Sequence, residues 1–394
     1  MTSPAFSRRL IAGAASVAAA GLLLTACGGS GSGTSSAAAG ADGKDASAKT
    51  AEVAVTITDA GCAPTPAKVP AGPVKFNVSN KDSGKVTEVE LQDSGKMLGE
   101  KENLTPGLSG DFSLTLTAGT YQVWCPGAGH ARSTFTVSGS STHSWKDDPK
   151  LVAATTGYAS WIDGQVKLLV STTQTFTDDV KAGDLAKAKL DYGRARVHYE
   201  RVEPTAEIWG DLDGRIDGRV DDAATPAQFT GFHRIEQAIW QKKSLKGMTP
   251  LATRLNTDVK SLYTQVKTVE YQPAEIANGA TDLVNEIQSS KITGEEERYS
   301  HIDLLDFKGN LDGANEAVNV LLPVLKAKDP SLAAEIARRY AATATALAAY
   351  AAKPGYLDSG YVDYATVTSA QRRTLSQVVD AYAESVSQVA GKVA

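Results

Sequence analysis

Two periods divide this chain. Between about residues 51 and 138 apolar residues alternate with polar ones: Val53, Val55 and Ile57, then Val74, Phe76 and Val78, then Phe112, Leu114 and Leu116, then Tyr121 and Val123, then Phe135 and Val137. Alternation of this kind puts every second side chain on one face of a strand. The runs are separated by Pro-Ala-Gly-Pro, Thr-Pro-Gly and Ala-Gly-Thr turns and predict a small antiparallel β-sandwich. From about residue 151 to the end the apolar spacing is helical. Helices are predicted over 151–182, 184–208, 226–243, 250–269, 273–290, 296–326, 330–352 and 368–392. Their connections are mostly short, which favours antiparallel neighbours, and roughly 240 residues suffice for two four-helix layers or a duplicated four-helix bundle.

One helical stretch has polar residues where apolar ones belong. Thr225, Pro226 and Gln228 read as an N-cap, a first-turn proline and a capping-box partner, so a helix is predicted to start there. Continued at 3.6 residues per turn, it places Phe229, Phe232, His233, Glu236, Ile239 and Trp240 on one buried stripe. Burying an imidazole or a carboxylate without a partner costs several kcal/mol, on the order of 3–5 for a broken ion pair. His233 and Glu236 therefore require each other, a cation from elsewhere in the chain, or a metal.

Further acids have compatible spacing. Glu200 and Glu203 stand three residues apart on a stripe with Leu185, Tyr192, Arg196 and Tyr199, so both carboxylates reach one point, and Pro204 ends or kinks the helix beside it. Paired ligand-type side chains on two helices are how carboxylate iron proteins build their centres. Arg196, four residues before Glu200, offers a plain ion-pair network instead. The Asp211–Asp222 stretch lacks the glycine and distal glutamate positions of an EF-hand, which leaves a Gly-Asp loop with Asp217 available as an oxygen ligand. The run Glu295-Glu-Glu-Arg-Tyr-Ser-His301 reads as helix-start charge, with His301 kept as a candidate ligand.

In the sandwich, Cys125 keeps the parity of Tyr121 and Val123 and points inward. A blue-copper site needs two histidines with the cysteine, and His130 has only His143, in the linker, for company. Glu88 and Glu90, with Glu100 and Glu102 nearby, are either metal ligands or the solvated face of a strand. Cys62 and Cys125 are either a disulfide or ligands.

The amino-terminal stretch reads as an export signal. Arg8-Arg9 precede an apolar run from Leu10 to Leu24, and Leu24-Thr-Ala-Cys27 forms a lipobox-like end that makes Cys27 the lipidated first residue of the mature protein. Ser7-Arg8-Arg9 leaves Sec and twin-arginine export both open. The expected organisation is therefore a signal peptide over 1–27, a Gly/Ser/Ala tether over 28–50, the sandwich over 51–138, a linker over 139–150 and the helical domain over 151–394. Outside the cytoplasm cysteines are free to oxidise. With 394 residues, 22% of them charged, and a formal charge of -5, the chain gives no electrostatic reason to expect nucleic acid or an anionic surface as partner. There is no His-Glu-x-x-His, Gln237 stands where an inverted zinc-protease motif needs histidine, and no Gly-x-Ser-x-Gly occurs.

Gly231-Phe-His233-Arg-Ile-Glu236, the upstream His198-Tyr-Glu200-Arg-Val-Glu203-Pro-Thr-Ala-Glu-Ile-Trp and the downstream Glu-Glu-Arg-Tyr-Ser-His-Ile-Asp-Leu-Leu-Asp-Phe resemble the imelysin-like family in its EfeO-type branch. Glu102-Asn-Leu-Thr-Pro-Gly107 and Ala118-Gly-Thr-Tyr-Gln-Val-Trp-Cys125 are similar to the cupredoxin-like domain that precedes it there. The resemblance covers essentially the whole mature chain. It implies an extracytoplasmic, lipid-anchored component of a ferrous/ferric iron uptake system that works with a membrane iron permease and a haem peroxidase. By position it implies metal ligation by His233 and Glu236 with Glu200, Glu203 and Asp217, and copper or iron ligation in the cupredoxin-like domain by Cys62, Cys125, Glu88 and Glu90. Oxygen ligands with one imidazole suit Fe(III) and tolerate Fe(II). The expectation is a transport component rather than an enzyme. A cell-surface metal-dependent hydrolase and a metal-bridged binding module for an anionic polymer are the alternatives.

Overall fold

The computed structural model describes residues 50–141, 144–223 and 225–394. The proposed signal peptide, Cys27 and nearly all of the tether lie outside the described residues, as does His143. Nine strands form the first region: β1 (Ala51–Ile57), β2 (Pro64–Thr65), β3 (Lys68–Pro70), β4 (Gly72–Asn80), β5 (Val89–Asp93), β6 (Lys96–Lys101), β7 (Ser109–Leu116), β8 (Gly119–Trp124) and β9 (Arg132–Ser138). They make two sheets, ordered β2-β1-β4-β7 and β3-β9-β8-β5-β6. The alternating residues face each other as expected, and Phe76 stacks on Phe112 with ring centroids 4.8 Å apart while meeting Phe135 edge-on. The sandwich is not wholly antiparallel. β1 runs parallel to β4 and β3 to β9, because the chain crosses between the sheets before it returns to pair. β5 departs from alternation too: Val89, Glu90, Leu91 and Gln92 are all buried, since its outer face is turned to the helical region.

Helices follow as α1 (Pro149–Ala182), α2 (Leu185–Glu200), α3 (Glu203–Glu207), α4 (Gly210–Ile216), α5 (Gly231–Glu236), α6 (Thr249–Val266), α7 (Pro273–Ser289), α8 (Asp303–Lys328), α9 (Pro330–Ala348), α10 (Ser369–Val386) and α11 (Ala390–Val393). α1 begins with Asp148 capping Lys150 N at 2.8 Å and Pro149 in its first turn, and ends at Gly183 in the left-handed conformation. It packs on α2, α6 and α8. α7 packs on α8 and α10, and α9 closes the second layer. No helix of the described residues is long and apolar enough to cross a membrane. The helical layer meets the sandwich along α7, where Asn278 Nδ2 donates to the carbonyl of Ser113 in β7 at 2.9 Å.

Three helix predictions need correction. The predicted 184–208 helix breaks at Arg201 and Val202, with Pro204 opening α3, so Glu200 and Glu203 flank a break instead of sharing one helix. The predicted 296–326 helix begins only at Asp303. Thr225 is not an N-cap: its hydroxyl meets Gln228 Oε1 at 2.9 Å in an isolated turn, and the helix starts at Gly231. The reason is local crowding. Thr230 Oγ1 donates to Arg215 O at 3.1 Å, and Gly231, at φ 76°, presses on the carbonyl of Ile216, where a Cβ would collide. That contact anchors the start of α5 to the end of α4 and sets the position of His233.

Candidate metal centre

Five pieces of chain converge beneath this contact. α2 supplies Arg196 and Glu200, α3 supplies Glu203, and the residue capping α4 is Asp217. α5 supplies His233 and Glu236, and the irregular stretch before α8 supplies Glu296 and Glu297. All of these side chains are buried. His233 Nε2 lies 3.1 Å from Glu296 Oε1 and 3.4 Å from Asp217 Oδ1, and its Nδ1 lies 3.2 Å from Glu236 Oε2. Ligand-type atoms of Asp217, His233 and Glu296 fall within 4.8 Å of one another, and those of Glu200, Glu203 and Asp217 do likewise. Asp217 belongs to both groups.

The predicted stripe is realised in part: Phe232 and Ile239 are buried, Phe229 is buried in the irregular chain before the helix, and Trp240 is half-buried where Gln237–Gln241 winds as a π-turn. Glu236, expected beside His233 as a ligand, stands behind it. Its other oxygen accepts the backbone N–H groups of Tyr299 at 2.8 Å and Ser300 at 2.7 Å. A carboxylate so held fixes the ring and leaves Nε2 to face Asp217 and Glu296. Glu200 and Glu203 meet a resident cation: Lys291 Nζ is 2.5 Å from Glu200, 2.9 Å from Glu203 and 3.2 Å from Glu286. Arg196 contacts Glu200, Asp217, Glu296, Glu297 and Asp306. The ion-pair alternative is therefore realised at Glu200 and Glu203, and the same Arg196 guanidinium also reaches the Asp217 and Glu296 oxygens that His233 meets.

Acid exceeds base in this interior. Glu200, Glu203, Asp217, Glu236, Glu296, Glu297, Asp303 and Asp306 are buried, against Arg196, Lys291 and His233. Burial pushes Glu200 up to about 7 and Glu297 up to about 8, and holds Glu203 and Asp306 well above the usual carboxylate range. Asp217 and Glu296 go the other way. Burial raises both, but Arg196 and then His233 outweigh it at Asp217, and Lys291 and His233 outweigh it at Glu296. For His233 burial acts downward, and Asp217 overcomes it, so the imidazole holds its proton well above the usual histidine range. A proton on Nε2 thus stands where two anionic carboxylates converge, the position a cation would take. Asn310, whose Nδ2 donates to Glu200 and Glu203, has its Oδ1 buried without a hydrogen-bond partner.

Glu296 was absent from the expected ligand set because its run of three glutamates reads as helix-start charge. Its only signal in the sequence is proximity to His301. His301 itself is half-buried at a bend with φ 60° and is not among the converging groups. His198 turns away to Gln165, 3.0 Å from its Nδ1.

In the sandwich, Cys62 and Cys125 form a disulfide with Cα atoms 6.3 Å apart. This corrects their assignment as metal ligands, because no thiolate remains, and a copper site of the thiolate kind does not fit these residues. The acidic group is also not a solvated face. Glu88, Glu90 and Glu100 bring oxygens within 4.8 Å of one another, with Glu90 and Glu100 paired across β5 and β6. Burial and then Glu90 push Glu88 up to about 8. These acids form one wall of a cleft of about 690 Å³, whose other wall carries Glu207, Trp209, Asp211 and Asp213 of the helical region.

Comparison with known proteins agrees with this architecture. Residues 154–389 match the imelysin family and residues 31–137 match the cupredoxin-like domain. The chain is 37% identical over 352 residues to the "Iron uptake system component EfeO" of Escherichia coli strain K12 and to that of Shigella flexneri, covering 88% of this chain and 92% of each relative. The EfeO of Escherichia coli O1:K1 / APEC is 37% identical over 347 residues, 86% of this chain and 91% of the relative. The chain belongs to the imelysin family, in the EfeO group that joins a cupredoxin-like domain to the helical one.

Proposed function

We propose that this protein is the iron-binding component of an iron uptake system and that its cargo is held in the helical region by Asp217, His233 and Glu296. The observation that carries this reading is the buried convergence of one imidazole and two anionic carboxylates in an interior with excess acid. Glu236 orients His233, Arg196 borders Asp217 and Glu296 as well as Glu200, Lys291 balances Glu200 and Glu203, and these two acids stand next to the cargo through the shared Asp217. Hard oxygen donors with one nitrogen suit iron in either oxidation state. Glu88, Glu90 and Glu100 form a second oxygen-donor site for the same ion. The EfeO relatives are named as components of iron uptake, which supports the iron cargo; an extracytoplasmic place, a tether through Cys27 and service to a membrane permease and a haem peroxidase are part of the same proposal and rest on the lipobox-like end and the sequence resemblance.

Equilibrium binding of Fe(II), without oxygen, and of Fe(III) citrate to the full chain tests the assignment. His233→Ala and Glu296→Gln are each expected to weaken binding about 100-fold or more, the scale of losing a ligand or the support it needs. Parental affinity in both variants would refute it.

A further inference from the structure

Asp217, His233 and Glu296 are each no more than 7% exposed, so an ion bound there must have a way in. Two helical segments lead outward from them. On α3, Glu203 lies beside the centre, paired with Lys291, and Glu207, one turn later, lines the cleft. On α4, Asp213 lines the cleft and Asp217, one turn later, lies in the centre. Residues four apart share a helix face with Cβ atoms about 5–6 Å apart. Each segment therefore carries one carboxylate inside and one at the cleft.

The facing wall supplies a receiving group. Glu100 is 7% exposed and borders the cleft. Among the described residues no N–H group or hydroxyl donates to it, and oxygens of Glu88 and Glu90 lie within 4.8 Å of its own. Neither arginine of the cleft is hydrogen-bonded to these receiving carboxylates. Arg132 is turned to Gln92 at 2.7 Å and Gln122 at 3.0 Å, and Arg215 to Asp258 at 3.2 Å and Asp211 O at 2.8 Å.

We propose that the cleft between the sandwich and α3–α4 is the entry path of the metal cation, which is received by Glu88, Glu90 and Glu100 and handed by Glu207 and Asp213 to the buried centre. The proposal rests on the functional reading above and assigns Glu207 and Asp213 a kinetic role that this reading does not need. They pass the ion and do not hold it at equilibrium.

The test separates rate from affinity. Fe(II) is mixed without oxygen with the full chain, and the reaction is stopped with a chelator at successive times. In Glu207→Gln and in Glu207→Gln/Asp213→Asn the loading rate is expected to fall at least tenfold, with the equilibrium dissociation constant within about threefold of the parent. Glu100→Gln is expected to slow loading as well. Glu335→Gln, at a half-buried acid of α9 outside the cleft lining that pairs with Arg338 and Arg339, controls for net charge and is expected to load at the parental rate. Parental loading rates in the cleft variants, or equal slowing in Glu335→Gln, overturn the path while leaving the centre standing.

Discussion

Replacing Lys291 by methionine removes the ammonium and keeps most of the side-chain volume, so it isolates the charge. Lys291 is fully buried, and its three carboxylate partners lie within 3.2 Å. Removing one member of a buried ion-pair network costs about 3–5 kcal/mol, because the remaining charges are left without compensation. Two of the partners can absorb part of that cost by taking up protons. Burial already pushes Glu200 and Glu286 up to about 7, and without Lys291, which lowers both, their affinity for protons rises further. The penalty is accordingly expected to be near 3 kcal/mol at pH 8 and smaller at pH 6, by roughly 1.4 kcal/mol for each pH unit over which one group stays protonated. Urea denaturation of the metal-free protein at the two pH values measures it. The variant is also expected to bind one more equivalent of divalent cation than the parent, at Glu200, Glu203 and Asp217, with stability recovered on binding. Equal stability at pH 8 and no extra cation bound would show that Lys291 is not the counter-charge of this group.

Metal-free stability should fall as pH rises from 5 to 8. Burial pushes Glu275 up to about 7 and Asp303 up to about 7, so their contribution is complete below the unfolded values near 4 and is lost as pH passes 7, by about 3 kcal/mol for Glu275. His233, also raised, acts in the same direction, and Asp217 and Glu296, held low, lose their contribution only in strong acid. Thermal unfolding across the range checks the sign, and rising stability toward pH 8 contradicts it. Glu236→Gln keeps an oxygen for Tyr299 and Ser300 but removes the charge behind His233, so iron affinity is expected to drop about 10–100-fold in a titration, less than for His233→Ala. Cys125→Ala should destabilise the sandwich by about 2–5 kcal/mol in denaturant while iron binding to the helical region stays unchanged, and thiol titration of the native parent should find no reactive group at Cys62 or Cys125.

The sequence made the two-region architecture readable because strand and helix periods differ, and the switch near residue 150 is sharp. His233 stood out for the same reason: it interrupts an apolar stripe. Glu236 was found but its role was not, since spacing says which side chains share a face and not which backbone N–H groups will meet them. Arg196 was visible as a neighbour of Glu200 at one turn. Its other partners come from positions up to 110 residues away, which local pattern does not reach. Lys291 and Glu296 were missed on the same grounds, for each sits in irregular chain where no period marks an inward face. The start of α5 was misplaced because Thr225 and Gln228 have capping chemistry but Gly231 has the close contact, and tertiary crowding overrode the local signal.

Under the proposed function, the separation of Arg196 from Glu296, 100 residues along the chain, has a consequence for where an exported chain would acquire its metal. The centre does not exist until distant segments have met, so a chain threaded through a membrane in the unfolded state carries no binding site while it is in the cytoplasm. Its choice of ion would then be made among those present where it folds. A chain exported after folding would instead have been exposed to every cytoplasmic competitor, and copper and zinc outrank Fe(II) at most nitrogen and oxygen sites. The route of export thereby becomes part of the selectivity of the site, settled by the order of folding and translocation as much as by the ligands themselves.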